Sequence, residues 1–189
     1  LYSAKCPAFC MVAPCGAGKS VMMRRLAIPA AENGLRVHVY SHRIMLTGQL
    51  IDMFQNAGAD FGVVASGFDR LANPDSLIQV CSLPTVHSRL GDSRHPIKRP
   101  DIAIVDEAHQ QAAGMAQEVF GAYREHGTRL IGFTATPVDL GGMYEQLVIA
   151  GQYSDLRECN AHLPIDCYGP DRPDLSQCKP MKGGDFSSK

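Results

Sequence analysis

A short glycine-rich string near the amino end constrains this chain more than any other feature. Residues 13–20 read APCGAGKS, an apolar run at residues 8–12 precedes them, and a helical pattern follows from Lys19. The string matches G-x-x-x-x-G-K-[ST] except at its first position, where Ala13 stands in place of glycine. A buried strand, a tight loop and a helix in this order predict an α/β unit with the loop between strand and helix.

The chemistry of this string points to a phosphate group. Gly16 and Gly18 allow successive backbone N–H groups to turn inward, and the following helix directs its positive amino-terminal end to the same place. In such a loop Lys19 reaches the β- and γ-phosphates, and the Ser20 hydroxyl is a ligand of Mg²⁺. The alternative is a glycine-rich turn with an incidental Lys-Ser pair, and the flanking strand and helix argue against it. The predicted phosphate-binding residues are Pro14, Cys15, Gly16, Ala17, Gly18, Lys19 and Ser20.

A second string, DEAH at residues 106–109, follows the β-branched run at residues 102–105. That run is typical of a central parallel strand, and ligands of open α/β sheets bind at the carboxyl ends of such strands. Asp106 is predicted to hold Mg²⁺ through water, and Glu107 to orient and deprotonate an attacking water. A helix cap with an acid in the first turn is the alternative for this pair. His109 taken alone is more typical of a packing histidine.

These strings together resemble the superfamily 2 helicases and translocases in their DEAH-box form. Further stretches fall in the order of that family. SHR at residues 41–43, continuing to Gln49, is similar to motif Ia; residues 79–90 are similar to the segment with motif Ib; and GFTATP at residues 132–137 is similar to motif III. Residues 156–175 are similar to the exit from the first motor domain of bacterial and phage-type DNA helicases. The resemblance covers about residues 8–175.

The resemblance implies a RecA-like P-loop NTPase domain that uses ATP and Mg²⁺. It implies that His109, Thr134 and Thr136 couple the nucleotide state to the binding of a strand. The catalytic set that it implies is Lys19, Asp106, Glu107 and His109. Arg43 and Thr85 are candidate strand contacts. For the two motif III threonines the alternative is a turn at a strand end, before a proline.

Alternating strand and helix patterns predict a parallel sheet with helices on both faces. We expect Gly34 to cap the first helix and Pro29 to kink or shorten that helix. The predicted strands lie at residues 8–12, 36–40, 61–65, 78–82, 102–105 and 129–133. The predicted helices lie at residues 19–33, 44–57, 85–90 and 115–126.

Length and composition suit a single domain of this class. The chain has 189 residues and a net charge of −1, so it has no global basic signature of nucleic-acid binding. Phosphate contacts through hydroxyls, amides and helix ends need little net charge. The cluster of Arg94, His95, Lys98 and Arg99 is read as a solvated loop, with a strand contact as its alternative.

No apolar run approaches the roughly 18 residues of a membrane helix, and no leader segment is recognisable, so a cytoplasmic protein is expected. Seven cysteines, an odd number and scattered, predict reduced thiols. A zinc site is the less favoured reading, because its ligands lack a CxxC pair. Those ligands would be Cys159, His162, Cys167 and Cys178.

The predicted organisation is a motor domain at residues 1–168, followed by an extended or disordered tail at 169–189. The chain is expected to be a fragment, because no adenine-recognising segment is evident at its start. A second RecA-like domain with the arginines that complete the ATP site is also expected beyond it. The favoured function is the ATP-hydrolysing motor of a DNA helicase or translocase. An RNA helicase and a non-catalytic module that binds nucleic acid or a partner are the alternatives, and a nucleotide kinase is less favoured, since no arginine-bearing lid is evident.

Overall fold

The computed structural model describes residues 8–94, 96–111 and 114–161, which contain seven strands and five α-helices. The strands are β1 (Ala8–Val12), β2 (Val37–Ser41), β3 (Gly62–Val64), β4 (Ile78–Ser82), β5 (Ile102–Val105), β6 (Arg129–Thr134) and β7 (Gln146–Ile149). The helices are α1 (Lys19–Glu32), α2 (Ile44–Asn56), α3 (Leu83–Arg89), α4 (Met115–Glu125) and α5 (Tyr153–Glu158). Short 3₁₀ turns lie at Asp69–Leu71 and Ala108–Gln111.

All seven strands form one parallel sheet in the order β3-β4-β2-β5-β6-β1-β7. The strands β2, β4 and β5 are buried along their whole length, as their continuous apolar runs require when helices cover both faces. The predicted fold class is therefore confirmed. Because every strand runs the same way, all the carboxyl ends meet at one edge of the sheet, which we call the carboxyl edge.

Side chains that alternate along each strand supply two separate cores. One core packs α1 and α2 against the sheet and contains Met23, Phe54 and Phe133. The other packs α3 and α4 against the opposite face and contains Tyr40 and Phe120, whose rings meet edge to face at 5.0 Å. Burying a side chain of this size stabilises the fold by roughly 1.5–3 kcal/mol, so truncation of Phe120 to alanine would cost about 3–5 kcal/mol.

The carboxyl end of helix α1 is determined by a glycine that follows it. Gly34 has a φ of 81°, and its N–H donates to Ala31 O at 2.8 Å while the N–H of Leu35 donates to Ala30 O at 3.0 Å. This paired bond pattern is the usual cap in which glycine takes the left-handed conformation, so the expectation for Gly34 is confirmed. The helix runs on to Glu32 past Pro29, and therefore the proline does not shorten it. The carbonyl of Pro29 is itself satisfied by the side-chain amide of Asn33 at 2.7 Å.

Several elements differ from the sequence prediction. The helix α3 begins at Leu83 and not at Thr85, because Pro84 lies in its first turn, where a missing N–H costs nothing. The predicted strand at residues 36–40 lies one residue later, at Val37–Ser41. Both β7 and α5 were missed. The strand β7 is mostly exposed and has no buried alternation, and it pairs only along one side, with β1.

Within the described ranges, no helix is long and apolar enough to cross a membrane. Among the cysteines there, Cys10, Cys81 and Cys159 are free thiols, as predicted for that part of the chain. Of the alternative zinc ligands only Cys159 belongs to the described residues. The tail predicted at residues 169–189 lies outside them.

Candidate nucleotide-binding site

Three loops converge at the carboxyl edge, because β1, β6 and β5 are neighbours in the sheet. The loop at residues 13–20 leaves β1, Asp106 leaves β5, and Thr134 ends β6 between them. The N–H of Ala13 donates to Thr134 O at 2.9 Å, and that of Asp106 donates to Tyr40 O at 3.0 Å. The parallel ladder therefore continues past the strand ends and fixes where each loop begins.

The glycine-rich loop has the backbone conformation predicted for it. Gly16 and Gly18 have φ angles of 80° and 78°, in the left-handed region that costs another residue roughly 1–2 kcal/mol. Gly18 is the residue that precedes α1, and Lys19 is the first residue of that helix. The loop is closed by a 3.2 Å bond from Ala17 N to Pro14 O. Pro14 is buried, whereas Cys15, Gly16, Gly18 and Ser20 are exposed and Lys19 is half-buried.

Asp106 and Glu107 form a strained acidic pair beside this loop. Burial and the charge of Glu107 raise the pKa of Asp106, and the Lys19 ammonium opposes that rise. One Asp106 oxygen accepts the N–H of Glu107 at 3.0 Å, which is not the bond to a residue two or three positions further on that a helix cap makes. Glu107 itself has a φ of 47°, a conformation that costs a non-glycine residue roughly 1–3 kcal/mol.

The hydroxyl of Thr134 links the acidic pair to the residues after β6. It lies 2.9 Å from Nδ1 of His109, accepts the N–H of Thr136 at 3.0 Å and donates to Thr136 O at 3.0 Å. His109 Nδ1 is also 3.5 Å from a carboxylate oxygen of Glu107. Thr134 therefore makes a strand-end turn, which was one of its two interpretations, and also contacts the histidine.

The candidate strand contacts lie on the other half of the carboxyl edge, after β2 and β4. Arg43 is exposed and immediately precedes α2. Thr85 is buried, and its hydroxyl oxygen accepts the N–H of Ser66 at 3.3 Å. Ser66 is exposed beside it and was missed by the sequence analysis. The structure thus groups Arg43 and Thr85 on one half of the edge and the phosphate loop on the other.

His42 is a second residue that the sequence analysis did not assign, although it lies inside the string at residues 41–43. It follows β2, the neighbour of β5. Burial and the charge of Arg43 lower its pKa, and Glu107 acts in the opposite direction. Both of its ring nitrogens are buried, and the nearby side chain of Gln110 also raises its pKa. Gln111, whose side chain donates to the carbonyl of Asp106, was also missed.

The residues present suit a magnesium ion held together with phosphates. A divalent cation would relieve the repulsion that raises the pKa of Asp106, and the exposed hydroxyl of Ser20 supplies a second hard oxygen ligand. No group of three or more His, Cys, Asp or Glu side chains suited to a metal occurs in the described ranges.

Fold and site geometry together define the class: the chain is a RecA-like helicase domain of superfamily 2. It belongs to the family described as Type III restriction enzyme, res subunit (ResIII), whose sequence pattern matches residues 3–139. The expected family resemblance is therefore confirmed.

Several individual proteins are similar to it. A 51.5 kDa protein of Lactococcus phage (isolate 7-9) is 26% identical over 181 residues, which are 93% of this chain and 35% of that protein. The chain thus spans about a third of that relative's length. The UvsW helicase from bacteriophage T4 superposes with a TM-score of 0.62 at 18% identity, over 76% of this chain and 54% of that one. The Hef helicase domain of Pyrococcus furiosus gives 0.61 at 18%, over 82% and 37%. At these identities the structural likeness concerns the fold.

Proposed function

We propose that this chain is the ATP-binding and ATP-hydrolysing motor domain of a DNA helicase or translocase, and that it forms part of a larger enzyme. One observation carries the proposal: the phosphate loop, the acidic pair and the Thr134 turn meet at adjoining strand ends, and a 2.9 Å contact joins His109 to Thr134.

Each residue has a distinct role in the proposed reaction. The loop amides and Lys19 bind the phosphates of ATP and place the γ-phosphate before the acidic pair. Ser20 and Asp106 would hold Mg²⁺, which supplies charge neutralisation on the phosphates when it is bound. Glu107 orients a water and accepts its proton as the water attacks the γ-phosphorus and the bond to the β-phosphate oxygen breaks.

The contacts of His109 support a role in coupling. Its Nδ1 atom lies 3.5 Å from a carboxylate oxygen of Glu107 and 2.9 Å from the hydroxyl of Thr134, so a change at the base side chain would reach the turn at Thr136 through this one ring nitrogen. Arg43 and Thr85 would contact the strand on the other half of the edge. We include Ser66 among these proposed strand contacts, because its N–H donates to the Thr85 hydroxyl.

DNA is favoured over RNA as the nucleic acid. The proteins with similar folds include the UvsW and Hef helicases described above. They also include the SWI2/SNF2 ATPase core of Sulfolobus solfataricus, which was solved in complex with dsDNA. That core has a TM-score of 0.53 at 15% identity, over 69% of this chain and 28% of its own. We also propose that residues 1–168 are the motor domain and that residues 169–189 lead to a second RecA-like domain. Arginines of that domain would complete the ATP site.

Strand-stimulated ATP hydrolysis tests the proposal. The two-domain protein should hydrolyse ATP faster with single-stranded DNA than with RNA of the same sequence, and the Lys19→Ala variant should show no stimulation. Residues 1–189 alone should turn over slowly, since arginine fingers contribute about 10³–10⁵ in rate in related phosphoryl transfer. Stimulation by RNA but not DNA would assign the RNA-helicase alternative. Nucleic-acid binding with no hydrolysis above the Lys19→Ala background would assign the non-catalytic alternative.

A further inference from the structure

Helix α2 begins with regular backbone but with an unusual residue type. Arg43, which immediately precedes the helix, is extended, with φ of −124° and ψ of 140°, and makes no side-chain bond that caps the helix. The preferred residues here are Ser, Thr, Asp and Asn, whose side-chain oxygens accept N–H groups of the first turn. A guanidinium has no acceptor, and its positive charge opposes the positive end of the helix dipole. Arg43 therefore departs from two preferences of helix starts, and such departures are expected where a residue serves function.

Two buried hydroxyl groups hold the backbone of Arg43 in place. The hydroxyl of Thr47 donates to Arg43 O at 3.2 Å, and the N–H of Thr47 donates to the same oxygen at 3.0 Å. The hydroxyl oxygen of Ser41 lies 2.6 Å from that of Thr47. Because Thr47 uses its one hydroxyl proton on Arg43 O, Ser41 is the donor in this last bond. The chain of bonds thus runs from Ser41 through Thr47 to Arg43.

Ser41 is a fixed point at the start of this chain of bonds. It is the last residue of β2, which lies between β4 and β5 in the sheet. The carbonyl before it, Tyr40 O, accepts the N–H of Asp106 at 3.0 Å, so the ladder with β5 extends to this point. Arg43 is therefore tied to a strand that is paired on both sides, and its position is set relative to the rest of the carboxyl edge.

Stability alone does not account for this hydroxyl pair. Ser41 and Thr47 are both 0% exposed. The same two elements, β2 and α2, supply Val39 and Leu50 to one of the apolar cores. Replacing both partners of a buried hydrogen bond by apolar groups of similar shape is often nearly neutral for stability, so an alanine and a valine would serve the core as well. What an apolar pair would lose is the tie between the end of β2 and the carbonyl of Arg43.

We propose that Ser41 and Thr47 are positioning residues for strand binding: their hydrogen bonds fix the backbone of Arg43, so that its guanidinium is presented to a phosphate of the strand. The inference rests on the proposed function, because it takes Arg43 as a strand contact. A backbone that is fixed in advance loses less conformational entropy when the strand binds. Both hydroxyl residues are buried, so they act through Arg43 and not by contact with the strand.

The test measures ATP hydrolysis by the two-domain protein at increasing concentrations of single-stranded DNA. Thr47→Val removes the hydroxyl and keeps the shape of the side chain. The DNA concentration that gives half-maximal stimulation should rise about three- to tenfold, the effect of weakening one charge-assisted contact, and by no more than in Arg43→Ala. The maximal rate at saturating DNA should not change, because only binding is affected. Thr47→Ser keeps the hydroxyl and should retain the wild-type value.

A double-mutant cycle separates positioning from a merely structural role. In the Arg43→Ala background, Thr47→Val should have no further effect on the half-maximal DNA concentration, because the guanidinium that it positions is absent. The combined variant Ser41→Ala, Thr47→Val leaves no hydroxyl unpaired, so it should unfold near the wild-type temperature and still need more DNA. Thr128→Val is the matched control. It removes a buried hydroxyl that donates to Pro100 O at 2.7 Å just before β6, and it should leave the DNA response unchanged.

The outcomes distinguish this inference from the proposed function. The positioning role is overturned if Thr47→Val leaves the half-maximal DNA concentration unchanged, if its effect adds to that of Arg43→Ala, or if Thr128→Val has an equal effect. Stimulation that Arg43→Ala does not weaken overturns the positioning role alone, since Arg43 is then no strand contact. If neither DNA nor RNA stimulates the wild-type protein, the proposed function fails and the positioning role fails with it. Should Thr47→Val not fold because Ser41 is left unpaired, the combined variant gives the same comparison.

Discussion

The two halves of the carboxyl edge are built in different ways. The half formed by β1, β6 and β5 uses unusual backbone: Gly16, Gly18 and Glu107 all have positive φ angles. The half formed by β2, β4 and β3 uses regular helix starts, with exposed side chains at Arg43 and at Met45, which is 77% exposed. Under the proposed function, fixed backbone amides would bind the phosphates, and side chains that can adjust would bind the strand.

The halves meet where β2 lies beside β5. His42 follows β2 and Glu107 follows β5, and the charge of Glu107 raises the pKa of His42, against the lowering by burial and Arg43. If the division is real, variants of the first half should change nucleotide chemistry with little effect on strand affinity, and variants of the second half should do the reverse.

The largest expected effect is on hydrolysis. Glu107→Gln keeps the shape of the side chain and removes the base, so in the two-domain protein the rate of ATP hydrolysis should fall by roughly 10²–10⁴-fold. Binding of Mg²⁺-ATP and of single-stranded DNA should persist, as measured by fluorescence anisotropy. Turnover at the wild-type rate would show that the base lies elsewhere, and a matching loss of DNA affinity would remove the division between the halves.

Next in size is nucleotide affinity. Lys19→Ala should weaken ATP binding by about 10–100-fold, because a charge-assisted bond to phosphate contributes roughly 1.5–3 kcal/mol. Calorimetry on the isolated chain measures this directly. Arg25→Ala, which removes an exposed charge further along α1, is the matched control and should bind as wild type does. Thermal unfolding of both variants should be near that of wild type; equal ATP affinity in all three proteins contradicts the assignment.

A smaller effect is expected on the binding of single-stranded DNA, which tests the half of the carboxyl edge formed by β2, β4 and β3. Arg43→Ala should weaken binding of single-stranded DNA by about tenfold and lower the slope of log affinity against log salt by roughly 0.7. ATP affinity in the absence of DNA should not change. Arg70→Ala removes an exposed charge of the same kind in the Asp69–Leu71 turn and serves as control. An unchanged salt slope for Arg43→Ala would exclude a phosphate contact at this residue.

The smallest effect concerns stability. Burial and Glu107 raise the pKa of Asp106, so the folded chain holds that proton more tightly than the unfolded chain does. Ionisation therefore destabilises the fold as pH rises from the unfolded value, about 3.9, through the folded one, and the cost remains at neutral pH. Asp106→Asn should raise the melting temperature by about 2–4 °C at pH 7. Near pH 2 it should have no effect, because Asp106 is then protonated in both the folded and the unfolded chain. A lower melting temperature at pH 7 would contradict this sign.

The sequence predicted the backbone of the half formed by β1, β6 and β5 more readily, because the constraints there are local. Gly16 and Gly18 lie within one loop, and the β-branched run before Asp106 indicates its own burial. The strand half depends on contacts between distant segments: the sequence gives no sign that Ser66 holds Thr85. The need for glycine at position 132 could not be predicted for the same reason. A Cβ there would lie 2.6 Å from the ring of Tyr144, a residue in another segment. No periodicity marks β7 either, since an exposed edge strand lacks the alternation that identifies a buried one.

The order of strands in the sheet also determines when each strand can pair during synthesis of the chain. The strand β1 pairs only with β6 and β7, and Ala8 meets Leu130, so the segment that leads into the phosphate loop has no partner until most of the described chain has left the ribosome. The strands β2, β4 and β3 can pair much earlier, and β5 can join them. Such long-range parallel pairing is slow and leaves an apolar strand exposed meanwhile. A nascent chain of this protein should therefore acquire its proposed nucleotide site as one of the last steps of folding, and an unpaired β1 is the segment on which a chaperone would act.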